Sequence, residues 1–138
     1  MELQVGVKAL LKNKDKKYLL LRRSREKYPE IIGEWDIVGG RIDPGSTLLD
    51  NLKREISEET KLALKAEPKL IAAQDILNIP NRSDRHVVRL TYLAEIDGEP
   101  QMDGDHIEFG WFTLEEMKNL DNLDIYFKGL LEKGFFND

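Results

Sequence analysis

The 138-residue sequence contains no cysteine, which excludes a disulfide framework, a thiolate zinc site, an iron–sulfur cluster and a cysteine nucleophile in one step. The same absence fits a reducing compartment, so a cytoplasmic protein is expected. No stretch approaches the roughly 18 consecutive apolar residues of a membrane-spanning helix. The start, Met1-Glu2-Leu3-Gln4-Val5, lacks the basic and apolar segments of a signal peptide. Neither a membrane nor secretion is expected. Positive charge is in deficit, with 21 Lys and Arg against 26 Asp and Glu for a net charge of −5. A nucleic-acid polymer is therefore not an expected partner, because each backbone phosphate contact calls for a Lys or Arg. A small phosphorylated ligand stays open if a cation mediates. What is present, 41% apolar and 34% charged residues, is the make-up of an ordinary folded chain, and one domain over residues 1–138 is expected.

Residues 3–11 place Val5, Val7 and Leu11 on one face of a strand. A polar cluster, Asn13-Lys14-Asp15-Lys16-Lys17, and a second apolar run over 18–21 follow, predicting a β-hairpin. After Arg22 and Arg23, a polar stretch with Pro29 and Gly33 reads as a loop. Residues 35–38 read as a short strand entering a glycine turn at Gly39 and Gly40. Asp43-Pro44-Gly45 is a further turn, and Thr47, with Asp50 three residues on, is the N-cap of a helix to about residue 60. Leu49, Leu52 and Ile56 form its core-facing stripe, while Lys53, Arg54, Ser57 and Glu58 lie away from it. Residues 70–77 and 86–96 predict a second hairpin, joined by a polar loop with a turn at Pro80 and Asn81. A strand over 107–112 leads into a capping box at Thr113 and Glu116, and helical spacing continues in two pieces toward Gly134.

The chemistry concentrates on the first helix. Glu55, Glu58 and Glu59 stand at i, i+3 and i+4 and share an arc of roughly 100°. Three like charges there repel one another unless a cation sits among them, and a hard divalent ion such as Mg²⁺ prefers carboxylate oxygens and retains waters that bridge to phosphates. The alternative is a solvated acidic face, stabilised by Asp50–Arg54 and Arg54–Glu58 pairs along the helix.

Residues 40–62 resemble the Nudix box, G-x5-E-x7-R-E-U-x-E-E-x-G-U with U aliphatic. Seven of its nine defined positions match, at Gly40, Arg54, Glu55, Ile56, Glu58, Glu59 and Leu62. The flanks Trp35-Asp36-Ile37-Val38-Gly39-Gly40 and Gly110-Trp111-Phe112-Thr113-Leu114-Glu115-Glu116 are also similar to the family pattern, so the resemblance runs to about residue 120. It implies an α/β (α+β) fold, a three-layer α/β/α sandwich with a mixed β-sheet. It further implies a Mg²⁺-dependent hydrolase, with Mn²⁺ as a substitute, cleaving a diphosphate bond in a nucleoside triphosphate or in a nucleoside diphosphate linked to another group. Arg54, Glu55, Glu58 and Glu59 would be catalytic. The three glutamates and the Gly40 carbonyl would hold the metal, and Arg54 would orient the glutamates. Gly39 and Gly40 would let the backbone approach a ligand or metal closely, although a plain loop would explain the pair equally well.

A distal carboxylate is expected from Asp103, Asp105 or Glu108, with Asp105 preferred by spacing. Arg22 and Arg23 end the second strand, and Arg23, like Arg41, is a candidate for substrate phosphates; an exposed strand end is the other reading. His86 and His106 lack any paired ligand spacing and read as structural, and Trp35 and Trp111 as packing residues. Homodimers are frequent in the family, so a second copy is a candidate partner. Two positions depart from the box. Ser46 replaces the first glutamate, which predicts reduced or altered activity. Lys61 replaces the late glycine, where a left-handed residue costs about 1 kcal/mol. These departures motivate a second class, a nucleotide sensor that binds without hydrolysis.

Overall fold

A computed structural model describes residues 1–29, 31–77, 79 and 84–137. Its elements are β1 (Glu2–Lys12), β2 (Tyr18–Arg23), β3 (Trp35–Asp36), β4 (Val38–Arg41), α1 (Leu48–Thr60), β5 (Ala63–Leu64), β6 (Lys69–Ile76), β7 (Arg85–Asp97), β8 (His106–Phe112), α2 (Leu114–Lys118) and α3 (Ile125–Glu132). The first hairpin closes through Asn13, whose side-chain oxygen accepts the amides of Asp15 and Lys17 at 2.9 and 3.0 Å. Its two strands stay paired only at Lys12 and Tyr18. Beyond that point β1 runs parallel to β7 and antiparallel to β4, whereas β2 pairs antiparallel with β8 and β3. The chain passes from one partner to the other at Ile37, between β3 on β2 and β4 on β1. This parting of neighbouring strands is what opens a cleft beside them.

The alternation of side chains along each strand divides the core into two layers. Val7, Ala9, Leu11, Leu19 and Leu21 pack toward Leu52 and Ile56 of α1. Leu10, Tyr18 and Leu20 pack on the opposite side with Met117 of α2 and Phe127 of α3. The mixed sheet between helical layers is the expected three-layer arrangement. Trp35 sits against the second layer, edge-on to Phe112 with ring centres 5.4 Å apart, and Trp111 against the first. No helix among the described residues is long and apolar enough to cross a membrane.

Most predicted elements recur, with three differences. Gly39 and Gly40 lie within β4, opposite Lys8 and Val7, and do not form a turn. Gly39 has φ 138°, and a side chain there would collide with the Val7 carbonyl; glycine is required by this close pairing and by an angle that L residues avoid. The short strand β5 was not expected; it pairs with β7 through Ala63 and Leu64. His106 begins β8 and is not a loop residue. The turn read at Pro80 and Asn81 lies outside the described residues.

Candidate active site

Helix α1 is fixed at both ends by the residues expected to do so. The Thr47 side chain accepts the Asp50 amide at 3.1 Å, and Lys61 adopts φ 62° with its amide donating to the Ser57 carbonyl at 2.9 Å. Leu52 and Ile56 bury the helix against the sheet, which turns the glutamate arc toward the β4 end of the cleft. The arc is not uniformly solvated. Glu59 is only 8% exposed, and its Oε2 accepts the Gly39 amide at 2.9 Å. Glu55 is half-buried over Gly40, where even a Cβ would lie 3.2 Å from its carboxylate. Glu58 is the exposed member and faces Arg54 at 3.4 Å.

Burial has electrostatic consequences. Desolvation, reinforced by Glu55 and Asp103 and opposed by Lys8 and the Gly39 amide, pushes the Glu59 carboxyl up to about 8. Glu55 is also raised, chiefly by burial and further by Glu58, with Arg54 opposing. A second group meets Glu59 from β8. Asp103 Oδ1 accepts the amides of Asp105 and His106 at 2.9 and 3.2 Å and lies 3.0 Å from His106 Nδ1. With its Nδ1 toward Asp103, the His106 ring brings Nε2 to 3.6 Å from Glu59 Oε1. Glu59, Asp103 and His106 offer ligand atoms all within 4.8 Å of one another. The carboxylate oxygens suit Mg²⁺, and an imidazole nitrogen beside them is also compatible with Mn²⁺.

The remaining predicted residues are distributed as follows. Asp105 lines the cleft but is ion-paired with Lys27, so it is Asp103 that comes to Glu59. Arg23 lines the cleft too, yet its guanidinium is held by Asp36 at 3.3 Å, Asp124 at 3.1 Å and the Gly33 carbonyl at 2.7 Å. Arg22 turns instead to Glu34 and Glu108. Arg41 lies at the cleft beside Gln4, and His86 pairs with Asp75 at 2.9 Å.

Beneath the cleft lies a charge network that the sequence did not disclose. Asp36 and Asp124, both nearly fully buried, face Lys8, Arg23 and Arg89, so three cations meet two carboxylates. Burial alone would raise the Asp36 carboxyl, but Lys8, Arg23 and Arg89 together hold it well below the usual carboxylate range. Asp124 also caps α3 by accepting the Tyr126 and Phe127 amides, and Arg89 lies 5.2 Å from the Tyr126 ring centre. The cleft of about 650 Å³ thus has an acidic end at α1, a cationic floor, and apolar surface from Tyr28, Ile31 and Tyr126.

What sequence reasoning missed is the contribution of His106 and this network. Only the short spacing Asp103-x-x-His106 carried a local signal for any of them. Lys8, Asp36, Arg89 and Asp124 come from separate parts of the chain and meet only through strand pairing.

The NUDIX domain family profile matches residues 2–132. An ADP-ribose pyrophosphatase of Methanocaldococcus jannaschii is 30% identical over 109 residues, which span 78% of this chain and 60% of that protein's length. Two solved structures share the fold. A MutT protein from Methanosarcina mazei superimposes with a TM-score of 0.79 at 24% identity, covering 95% of this chain and 91% of its own. A MutT NUDIX hydrolase from Burkholderia pseudomallei gives 0.77 at 26% identity, covering 97% and 99%. With the box residues on one helix face and the sheet parted beside them, this chain belongs to the NUDIX domain family.

Proposed function

We propose that this protein is a divalent-cation-dependent pyrophosphohydrolase, acting on a nucleoside triphosphate or on a nucleoside diphosphate linked to another group. The observation that carries the reading is Glu59: a carboxylate buried in a cleft, beside Glu55, Asp103 and His106, with burial raising its pKa to about 8. Such a group is stabilised in its ionised form by a cation, and the donors around it are those a hard cation accepts. Glu55, Glu58 and Glu59 with the Gly40 carbonyl would hold the ion, and Asp103 and His106 would offer further ligand atoms beside Glu59. Bound there, a divalent cation supplies charge neutralisation for the diphosphate and a water of lowered pKa.

The protein's own groups do the rest. The Gly39 amide fixes the Glu59 carboxylate, and Asp103, 3.0 Å from Nδ1, orients the His106 imidazole. The excess positive charge of Lys8, Arg23 and Arg89 draws a polyanion to the cleft, while Tyr28, Ile31 and Tyr126 offer surface to a base or sugar. Water adds to phosphorus, the anhydride P–O bond breaks, and a cleft carboxylate accepts the proton.

Ser46 favours the competing reading of a sensor, since it supplies no carboxylate and its hydroxyl turns to the Thr47 carbonyl, at 3.4 Å. Phosphate release, coupled to pyrophosphatase or phosphatase and run with Mg²⁺ or Mn²⁺ over nucleoside triphosphates, ADP-ribose, nucleotide sugars and dinucleoside polyphosphates, separates the two. ADP-ribose belongs in the panel because of the relative's activity. Turnover by the wild type, lowered at least about 100-fold in Glu58→Gln or Glu59→Gln, is expected. Cation-independent nucleotide binding without turnover would establish the sensor instead.

A further inference from the structure

Arg54 is held by a device that the box pattern does not contain. Its Nη2 donates to Asn51 Oδ1 at 2.9 Å and to the Asp43 carboxylate at 2.8 Å. Asn51 is fully buried and uses both ends of its amide, Oδ1 also accepting the Asp43 amide at 3.1 Å and Nδ2 donating to the Arg41 carbonyl at 3.4 Å. One side chain thereby ties the end of β4, the turn before α1 and the guanidinium of Arg54. A buried amide destabilises a fold unless its hydrogen bonds are made, so its value at this position lies in what it holds.

From this anchor Arg54 reaches the glutamates. Its Nη1 lies 3.4 Å from Glu58 and its Nη2 3.6 Å from Glu55 Oε1. Both of those contacts are long and partly exposed, and such pairs do not hold a flexible side chain in one place. Asp43 is itself largely exposed and screened. The charge-assisted bond to Asn51, whose own side chain is fully buried, is the one that can. Meanwhile Ser46, at the position of the absent glutamate, turns its hydroxyl to the Thr47 carbonyl.

We infer that Asn51, backed by Asp43, is a positioning residue in a chain that carries Ser46 where the box has a glutamate, fixing Arg54 so that Glu55 and Glu58 keep their spacing at the cleft. The inference rests on the hydrolase reading above. It makes Asn51 and Ser46 partners in function.

The test is a double-mutant cycle in the full chain, with Asn51→Ala and Asp43→Asn each made alone and with Ser46→Glu. The readouts are Mn²⁺ affinity by calorimetry, kcat and KM on the best substrate of the panel, the Arg54 side-chain N–H signals by NMR, and thermal unfolding. Asn51→Ala is expected to lose the resolved Arg54 signals, to weaken Mn²⁺ about 10-fold and to lower kcat with KM little changed. Ser46→Glu should restore affinity and kcat more in that background than it raises them in the wild type. Unchanged Arg54 signals and Mn²⁺ affinity in Asn51→Ala, or a strictly additive effect of Ser46→Glu, would overturn the inference. Should Asn51→Ala not fold, Asp43→Asn carries the same test with a smaller loss, and a loss that Ser46→Glu does not repair overturns it. A wild type that neither binds Mn²⁺ nor turns over any substrate overturns the hydrolase reading and the inference with it, whereas an active wild type with an indifferent Asn51→Ala overturns the inference alone.

Discussion

Glu59 shows how one residue couples stability to function. In the cation-free protein its folded-state pKa is about 8 against an ordinary 4.5, so the folded state keeps a proton that the unfolded chain has released. Its contribution to stability is therefore full below about pH 4.5 and is lost as pH rises through 8. Thermal unfolding followed from pH 5 to 8.5 with chelator present should show a falling Tm. Glu59→Gln should flatten that decline, because the neutral amide has no proton to lose. A divalent cation should raise the wild-type Tm most at the alkaline end, where the carboxylate is ionised. A Tm independent of pH in this window would mean that Glu59 is better solvated than its 8% exposure implies. The glutamate triplet itself was legible from spacing, but the burial that distinguishes Glu59 from exposed Glu58 was not, since it depends on Gly39 and His106 arriving from other strands.

At the level of elements, helix α1 was the most readable part of the chain. Its N-cap, apolar stripe and left-handed end are all properties of residues within a few positions of each other, which is the range over which helical periodicity acts. Lys61 at φ 62° carries a cost of about 1–2 kcal/mol for a side chain in the left-handed region. Glycine would remove that cost but add about 0.5–1 kcal/mol of unfolded-chain entropy. Lys61→Gly is therefore expected to stabilise the protein by less than about 1 kcal/mol, seen as a small rise in Tm; a fall would mean that the Lys61 ammonium, 3.2 Å from the Glu58 carbonyl, contributes more than the strain costs. The glycine pair was less readable. Two adjacent glycines suggest a turn from local chemistry, and only the antiparallel pairing of β4 with β1 shows that they serve close approach within a strand.

Across the whole molecule, the feature with the widest reach is the network that joins β1, β2, β3, β7 and the start of α3 through Asp36 and Asp124. Asp36 has a depressed pKa, so it stabilises the fold above the unfolded-state value and ceases to do so as acidification protonates it. The network's contribution should hold through neutral pH and decline below about pH 4, where unfolded aspartates take up protons. Asp36→Asn should cost about 3–5 kcal/mol at neutral pH, because it leaves buried cations short of a partner. Urea unfolding of the two proteins checks both statements, and an unchanged midpoint would show that Lys8 and Arg23 reach solvent when the carboxylate is removed.

The sequence by itself determined most of the elements, the family resemblance and the residues of the acidic helix face, because each rests on short-range periodicity or fixed spacing. Tertiary structure alone decided that Asp103 and His106, not Asp105, meet Glu59, that Arg23 is anchored by two buried aspartates, and that Asn51 holds Arg54. The first two outcomes depend on segments distant in the chain being brought together, and the third, between residues three apart on α1, on the burial of Asn51 against the end of β4. Burial changes what a carboxylate, an imidazole or an amide can do, and no local pattern of residues encodes it.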